Sequence, residues 1–455
     1  MDRFQTIAAD VDAGQFRLLL KGEVRQCAVE DPIIFQGVAH IDQNAQGCLA
    51  LRFVCEAVTG PFDAEEGLPE PPQGKNTPEP FYFDLSGIDT DARLWTAARI
   101  LVRLDRPLQG WGRFSKPDGF DVALGQIPEL ATQHPTGIDE SDRSHVAWII
   151  KGELRSPRQC QPRAWLHEDR QGAAWSIDHN KQGNTDIRFH AAADAFDVTT
   201  RHFRRALSLL AGQDFHPVCS ATIIDGLERF SITPGQKAFE PKSILWIPPK
   251  FGDGWDTLLV KWLYASREAD SQKEKSDGRS VQDVIYHYWY RLHQAYGVDI
   301  ENGAQVLTSS IEGMTKRYFS NVPAALLTER EQEFTVTRVT LEQLDKKKHA
   351  RTLNILKGKI DQESRKRPDV DLLLDGLRHT NHITEQMVEA WANLRNDAAH
   401  GDHLVKSSDD IQQFEEDFFQ CFELFKRLCL FAIDYDGPAQ DFSVEGWPVL
   451  RNIAR

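Results

Sequence analysis

Residues 391–404 read WANLRNDAAHGDHL. Met387, Trp391, Leu394 and Ala398 recur at i, i+4, i+7 and i+11, which predicts one amphipathic helix over 384–400. A glycine follows His400 directly, and glycine ends a helix at low steric cost. The helix therefore closes on Arg395, Asn396 and His400. Spacing alone means nothing here, since chance supplies about one Arg-x4-His pair in a chain of this composition. The letters around it carry the information: Asn after the arginine, Ala before the histidine and Gly after it.

Working outward, the C-terminal half reads as helices over 281–297, 303–320, 329–360, 384–400 and 408–433. Val284, Tyr288 and Leu292 share a face of the first, and Leu307, Ile311, Met314 and Tyr318 form a stripe on the second. In the third, QEFTVTRV is the least helical part, because β-branched side chains lose rotamer freedom in a helix. Ser407 and Asp410 offer a capping pair to the last helix. Its aromatic face is wider than one neighbour can cover, so a bundle core continued into a partner subunit is expected. A charged linker, EADSQKEKSDGRS (268–280), precedes these helices.

The N-terminal half reads as strands, FRLLLKGEVRQCAV and GVAHIDQNAQGCLALRFVCEAV being β-branched and apolar runs split by a polar turn. LLLKGEVRQC (18–27) resembles WIIKGELRS (148–156), and AHIDQNAQG (39–47) resembles WLHEDRQG (165–172). Similar offsets fit two copies of one unit, and generic hairpin composition fits equally well. The stretch 60–80, rich in Pro, Gly and acid, is an expected surface loop. FDVTTRHFRRALSLLAG then carries apolar positions at helical spacing up to Gly212. The expected fold class is α+β multidomain. It has a β-rich unit over 1–135, a second over 136–240 ending in a helix, and a helical region over 241–455 with its bundle core at 280–435.

Composition bounds the function. The 455 residues carry a formal charge of −15, so affinity for bulk nucleic acid is not expected and any contact must use a local basic patch. Such a patch exists: Lys346, Lys347, Lys348, Arg351, Lys357, Lys359, Arg365, Lys366 and Arg367 face only Asp361 and Glu363 across 346–367. It reads either as a solvated face or as a track for RNA. The seven cysteines form no C-x-x-C, no apolar run reaches membrane-spanning length, and the N-terminus lacks a signal-peptide pattern. These features lead us to expect reduced thiols, a cytoplasmic location and no membrane partner. GxxxxGK[ST] and GxSxG are absent, and no cofactor is expected. His379 and His382, with His400, Asp402 and His403, lack the carboxylate spacing of a zinc hydrolase, so no metal site is expected.

RNDAAHG at the end of a Trp391/Leu394 helix resembles the signature of the HEPN superfamily, and TSSIEGMTKRYF (308–319) resembles the acid-bearing helix of its ApeA-like anti-phage branch. The resemblance implies an all-α HEPN helical bundle, a homodimer or larger assembly, and metal-independent endoribonuclease activity in abortive infection. The product would be a 2′,3′-cyclic phosphate, and the trigger a phage-derived signal. It makes Arg395, Asn396 and His400 catalytic, while Glu312, one position from the core stripe of its helix, reads either as an acid that orients His400 or Arg395 or as a surface or structural acid. The chemistry agrees. Metal-free RNA cleavage needs a base for the 2′-hydroxyl, an acid for the 5′-oxygen and positive charge on the phosphate. Histidine serves as acid or base near neutrality, and arginine's planar fork matches phosphate oxygens. Residues five apart on a helix diverge by roughly 140°, so two copies of the motif at a dimer interface would complete one cleft. The alternative is a HEPN-type dimerisation or binding module without catalysis, joined to a β-rich recognition domain.

Overall fold

The computed structural model describes residues 2–453 apart from 45–46, 62–67, 69–76, 105–119, 136–142, 151–173, 180–184, 193–195, 225–226, 234–244, 249–251, 272–277, 344–345, 365–368 and 401–407. The architecture is mixed: one large antiparallel sheet in the N-terminal half, helices in the C-terminal half.

A short helix α1 (Asp2–Asp12) leads into β1 (Arg17–Gln26), β2 (Ile34–Gln43), β3 (Leu49–Thr59), β4 (Tyr82–Ile88), β5 (Leu94–Leu104), β6 (Phe120–Ile127) and β7 (Leu130–Pro135). Then follow β8 (Arg143–Ile150), β9 (Ala174–His179), β10 (Thr185–Ala192), α2 (Phe196–Ala211), β11 (Cys219–Ile224) and β12 (Leu227–Ile232). The strand order is β4-β1-β2-β3-β6-β5-β7-β12-β11-β8-β10-β9, and β4 also pairs with β5, so the first six strands of that order close into a hydrogen-bonded ring. Closure removes the exposed edges that a sheet otherwise presents. Alternation sorts the side chains: Phe35, Ala39 and Ile41 of β2 and Leu49, Leu51, Phe53 and Cys55 of β3 are buried, with exposed residues between them. Ala8 and Val11 of α1, a helix the sequence reading missed, join the same core.

Gly22 of β1 lies opposite Gly37 of β2 on one side and Gly87 of β4 on the other. A Cβ at Gly22 would stand 2.0 Å from the Ser86 carbonyl oxygen. Backbone, unlike a side chain, cannot swing aside. Gly22→Ala is therefore expected to lower stability by about 3 kcal/mol, the upper end of ordinary overpacking, read from the urea midpoint.

The boundary expected at 135/136 falls inside this sheet. β7, which ends at Pro135, pairs along its length with β12, because its inner residues share one core with Phe230 and Ile232. Strands from both expected β-rich units thus form a single sheet. Two compact units result: residues 1–201 with 215–241, and residues 202–214 with 242–455. The second copies in the proposed repeat, 151–156 and 165–172, and most of the 60–80 loop lie outside the described residues.

In the second unit the helices are α3 (Gly252–Ser271), α4 (Val281–Tyr296), α5 (Ile300–Tyr318), α6 (Ala324–Gln343), α7 (Lys346–Ser364), α8 (Val370–His379), α9 (Glu385–His400) and α10 (Ser408–Phe431). The tail forms a small ladder of β13 (Ala439–Gln440) and β14 (Val449–Leu450). α5 is the central helix, packed against α4, α8, α9 and α10. Its stripe explains that position: Leu307, Ile311 and Met314 are fully buried, as are Met387, Trp391 and Leu394 of α9. The long segment expected over 329–360, either continuous or broken, is two helices, α6 and α7, packed on each other. The TVTRVT run is helical after all, and the hydroxyls of Thr335, Thr337 and Thr340 are satisfied within the helix by donating to the carbonyls of Glu331, Glu333 and Val336 at 2.8–2.9 Å.

Aromatic residues of α10 meet rings from within the chain. Phe422 packs edge-on to Phe442, Phe419 meets Trp447, Phe425 meets Trp246, and Phe418 stacks on Tyr296. Phe442 and Trp447 belong to the C-terminal tail, whose sequence gives no periodic signal to announce a docking role. Ser407, expected to cap this helix, lies outside the described residues.

Candidate active site at the end of α9

Arg395 leaves α9 one turn after Trp391, and its guanidinium lies over the buried indole, 5.1 Å from the ring centroid. That stacking holds the side chain against the bundle while leaving it 48% exposed. Trp391 is itself fixed, donating its ring N–H to the Thr308 carbonyl of α5 at 3.4 Å. With Thr308 beside Trp391 and Glu312 beside Arg395, α5 and α9 run in the same direction here. Arg395 Nη2 stands 3.9 Å from Glu312 Oε2, while the other Glu312 oxygen accepts from Lys316 one turn on. Glu312 thus bridges two cations, one on its own helix and one on α9.

α8, absent from the sequence reading, adds acids on the other side. Asp369 caps it by accepting from the Leu372 N–H at 3.1 Å. Asp371 has its pKa raised, chiefly by burial and then by Asp369, while Arg395 opposes the shift. Asp375 is raised in the same direction, by burial first, against the pull of Arg378. The Asp369 cap and the LLLDGL run were legible signals for this helix.

On the α4 side the charge reverses. Arg317 donates to the Arg279 carbonyl at 3.3 Å, next to the Ser280/Asp283 capping box that starts α4. The His287 pKa is lowered, first by burial, then by the nearby charges of Arg291 and Arg279. Tyr288 presses its hydroxyl into the space above Gly313, where a Cβ would lie 2.1 Å from that oxygen. A methyl there would push the ring off α5. Gly313→Ala is expected to cost about 1–3 kcal/mol, read as a lower melting temperature.

Of the expected site residues, the structure brings Arg395 and Glu312 together. Asn396 is exposed on the same helix end. His400 is the last residue of α9, and its side chain is outside the described residues. In the basic segment, Lys346, Lys347 and Lys348 lie on α7 by backbone alone, and Arg351 is exposed. Lys357 is 3.5 Å from Glu342, and Arg365, Lys366 and Arg367 lie outside the described residues. Lys316, Arg317 and the α4 cations were not anticipated, since Lys316 and Arg317 make only a pair and Arg291 stands alone among neutral residues. Among the described residues, no group of three His, Cys, Asp or Glu side chains is placed to hold a metal ion, and no helix is long and apolar enough to cross a membrane. Set against protein-family models, curated proteins and solved structures, the chain matches none of them.

Proposed function

We propose that this protein is a metal-independent endoribonuclease of HEPN type that acts in anti-phage defence through Arg395, Asn396 and His400. The observation that carries the reading is the anchoring of Arg395: stacked on a buried indole, touched by a carboxylate, and still half open to solvent at the helix end that His400 closes. An arginine so held is preorganised for a phosphate and needs little reordering when one arrives. Arg395 takes the charge of the crowded phosphorane, and His400 moves the proton at the 2′-hydroxyl or the 5′-oxygen. Asn396 donates to a phosphate oxygen. A second copy supplies the complementary group. Transfer of the 2′-oxygen to phosphorus expels the 5′-oxygen and leaves a 2′,3′-cyclic phosphate. The rival reading, a binding module without catalysis, draws on the same ion pair, which suits a purely structural arginine. Incubating the full chain with total cellular RNA in EDTA separates the two. Fragments ending in cyclic phosphate from the wild type and intact RNA from His400→Ala support the nuclease; identical RNA profiles overturn it.

Glu312 acts here as a positioning residue. Glu312→Gln is expected to lower kcat about tenfold by loosening Arg395, while RNA binding tightens as a negative charge leaves the cleft. A structural role alone would not move the two in opposite directions, and Glu312→Asp is expected to recover part of kcat.

A further inference from the structure

The exposed face of α4 has a composition unlike the rest of this acidic chain. His287, Tyr290, Arg291 and Gln294 fall at i, i+3, i+4 and i+7, and all four are exposed. A solvent face built this way presents two basic groups, one aromatic ring and one amide, without an acid among them. The acid nearest in sequence, Asp283, is engaged by Arg205 and the Ser280 cap. The strip continues off the helix. Arg279 lies beside His287 electrostatically, and its carbonyl receives Arg317 of α5. Arg317 adjoins Lys316, which shares Glu312 with Arg395. Cations therefore recur from Arg291 and Arg279, both near His287, to Arg317 at the Arg279 carbonyl, while Lys316 and Arg395 flank the Glu312 carboxylate. The acids near Arg395 are Glu312 and Asp371 of α8, whereas the exposed residues of α4 include none. A polyanion therefore meets its attraction on the α4 face.

We propose that the outer face of α4, with the last turn of α5, is a binding strip for single-stranded RNA that delivers the backbone to Arg395. This rests on the nuclease reading for what happens at Arg395, but not for the binding itself. Arginines and Lys316 take the phosphates, and Tyr290 offers a ring on which a base stacks, a combination suited to single strands rather than to a rigid duplex. His287, exposed on the same face, adds a hydrogen-bonding ring beside the backbone. The basic α7 segment is the competing track.

The test uses the full chain carrying His400→Ala, so that cleavage cannot consume the probe, and a fluorescein-labelled oligouridylate read by anisotropy across a salt series. Replacing Arg279, Arg291 and Arg317 by Gln together is expected to flatten the log–log salt slope by about 2, near 0.7 for each lost phosphate contact. Tyr290→Ala is expected to weaken binding about fivefold or more at fixed salt, the loss of one stacked base. A Lys348→Gln, Arg351→Gln double variant in α7 should leave both quantities unchanged, and circular dichroism checks that every variant is folded. An unchanged slope in the triple variant overturns the strip, as does a loss confined to the α7 variant or an absence of RNA binding altogether. Should the strip variants lose binding while the wild type never cuts RNA, the strip stands and the nuclease reading falls.

Discussion

Arg395→Ala and His400→Ala are each expected to abolish RNA cleavage, with losses of at least about a hundredfold and up to about ten-thousandfold in single-turnover rate. The two act on different parts of one transition state. Without the guanidinium, the charge on the phosphorane loses its clamp while Glu312 at the site and Asp371 on α8 remain. Without the imidazole, the proton has no carrier at neutral pH. Arg395→Lys is expected to rescue little, since an ammonium can neither bridge two phosphate oxygens nor lie flat on Trp391. The fold should survive. Arg395 is half exposed, and its stacking on Trp391 is worth about 0.5–1 kcal/mol, too little to unfold a domain. Native mass spectrometry and thermal unfolding check assembly and stability beside the rate. A variant that stays folded and assembled yet cuts RNA at the wild-type rate removes its residue from the mechanism.

Glu423→Ala is expected to destabilise the helical unit by about 3–5 kcal/mol, the cost of leaving buried charge without its partner. Glu423 of α10 has no exposed surface. It accepts from Lys426 Nζ at 2.6 Å, from Arg427 Nε at 2.8 Å and from the Phe442 N–H at 2.9 Å. Lys426, equally buried, also donates to the Gln440 carbonyl and lies 5.0 Å from the Phe442 ring centroid. Arg427 reaches Asp441 at 3.5 Å and the His382 carbonyl at 3.4 Å. One carboxylate therefore ties the C-terminal tail to α10. Its removal strands an ammonium and an amide in the interior. Burial already lowers the Lys426 pKa, with Glu423 opposing that shift. In the variant the depression deepens. Between the folded and the ordinary lysine pKa the unfolded chain then holds the extra proton, and stability rises with pH through that window. Urea unfolding at neutral pH and near pH 10 reads both the loss and its partial recovery. Hydrogen exchange over 439–450 should speed up as the tail loosens. A variant within about 0.5 kcal/mol of wild type at neutral pH would show that the network carries no net stability.

Much of the helical half is legible in the sequence because its helices bury one stripe each. The stripes of α5 and α9 are stated by residue spacing, and the buried faces of Leu307, Ile311, Met314, Met387, Trp391 and Leu394 follow from it. The pairing of Glu312 with Arg395 was open to suspicion from sequence, since each sits one position beyond a core stripe. Other features were illegible for physical reasons. α1 is acidic and polar, and Ala8 and Val11, with half-buried Ile7, commit it to the core. α6 has no buried residue and so no hydrophobic period to detect. The cations of α4 and α5 come together only when two helices are set side by side.

What the sequence alone determined is local: which residues alternate, which recur at helical spacing, and which polar groups end α9. Tertiary structure alone decided that β7 and β12 join strands from both expected β units, that the chain's own tail packs on aromatic residues of α10, and that Arg395 meets Glu312 of α5 near Asp371 of α8. The division has one physical cause. Periodicity records whether a side chain must leave water, a property of each segment by itself. Which partner receives it depends on the free energy of the whole packed set, and no single segment encodes that choice.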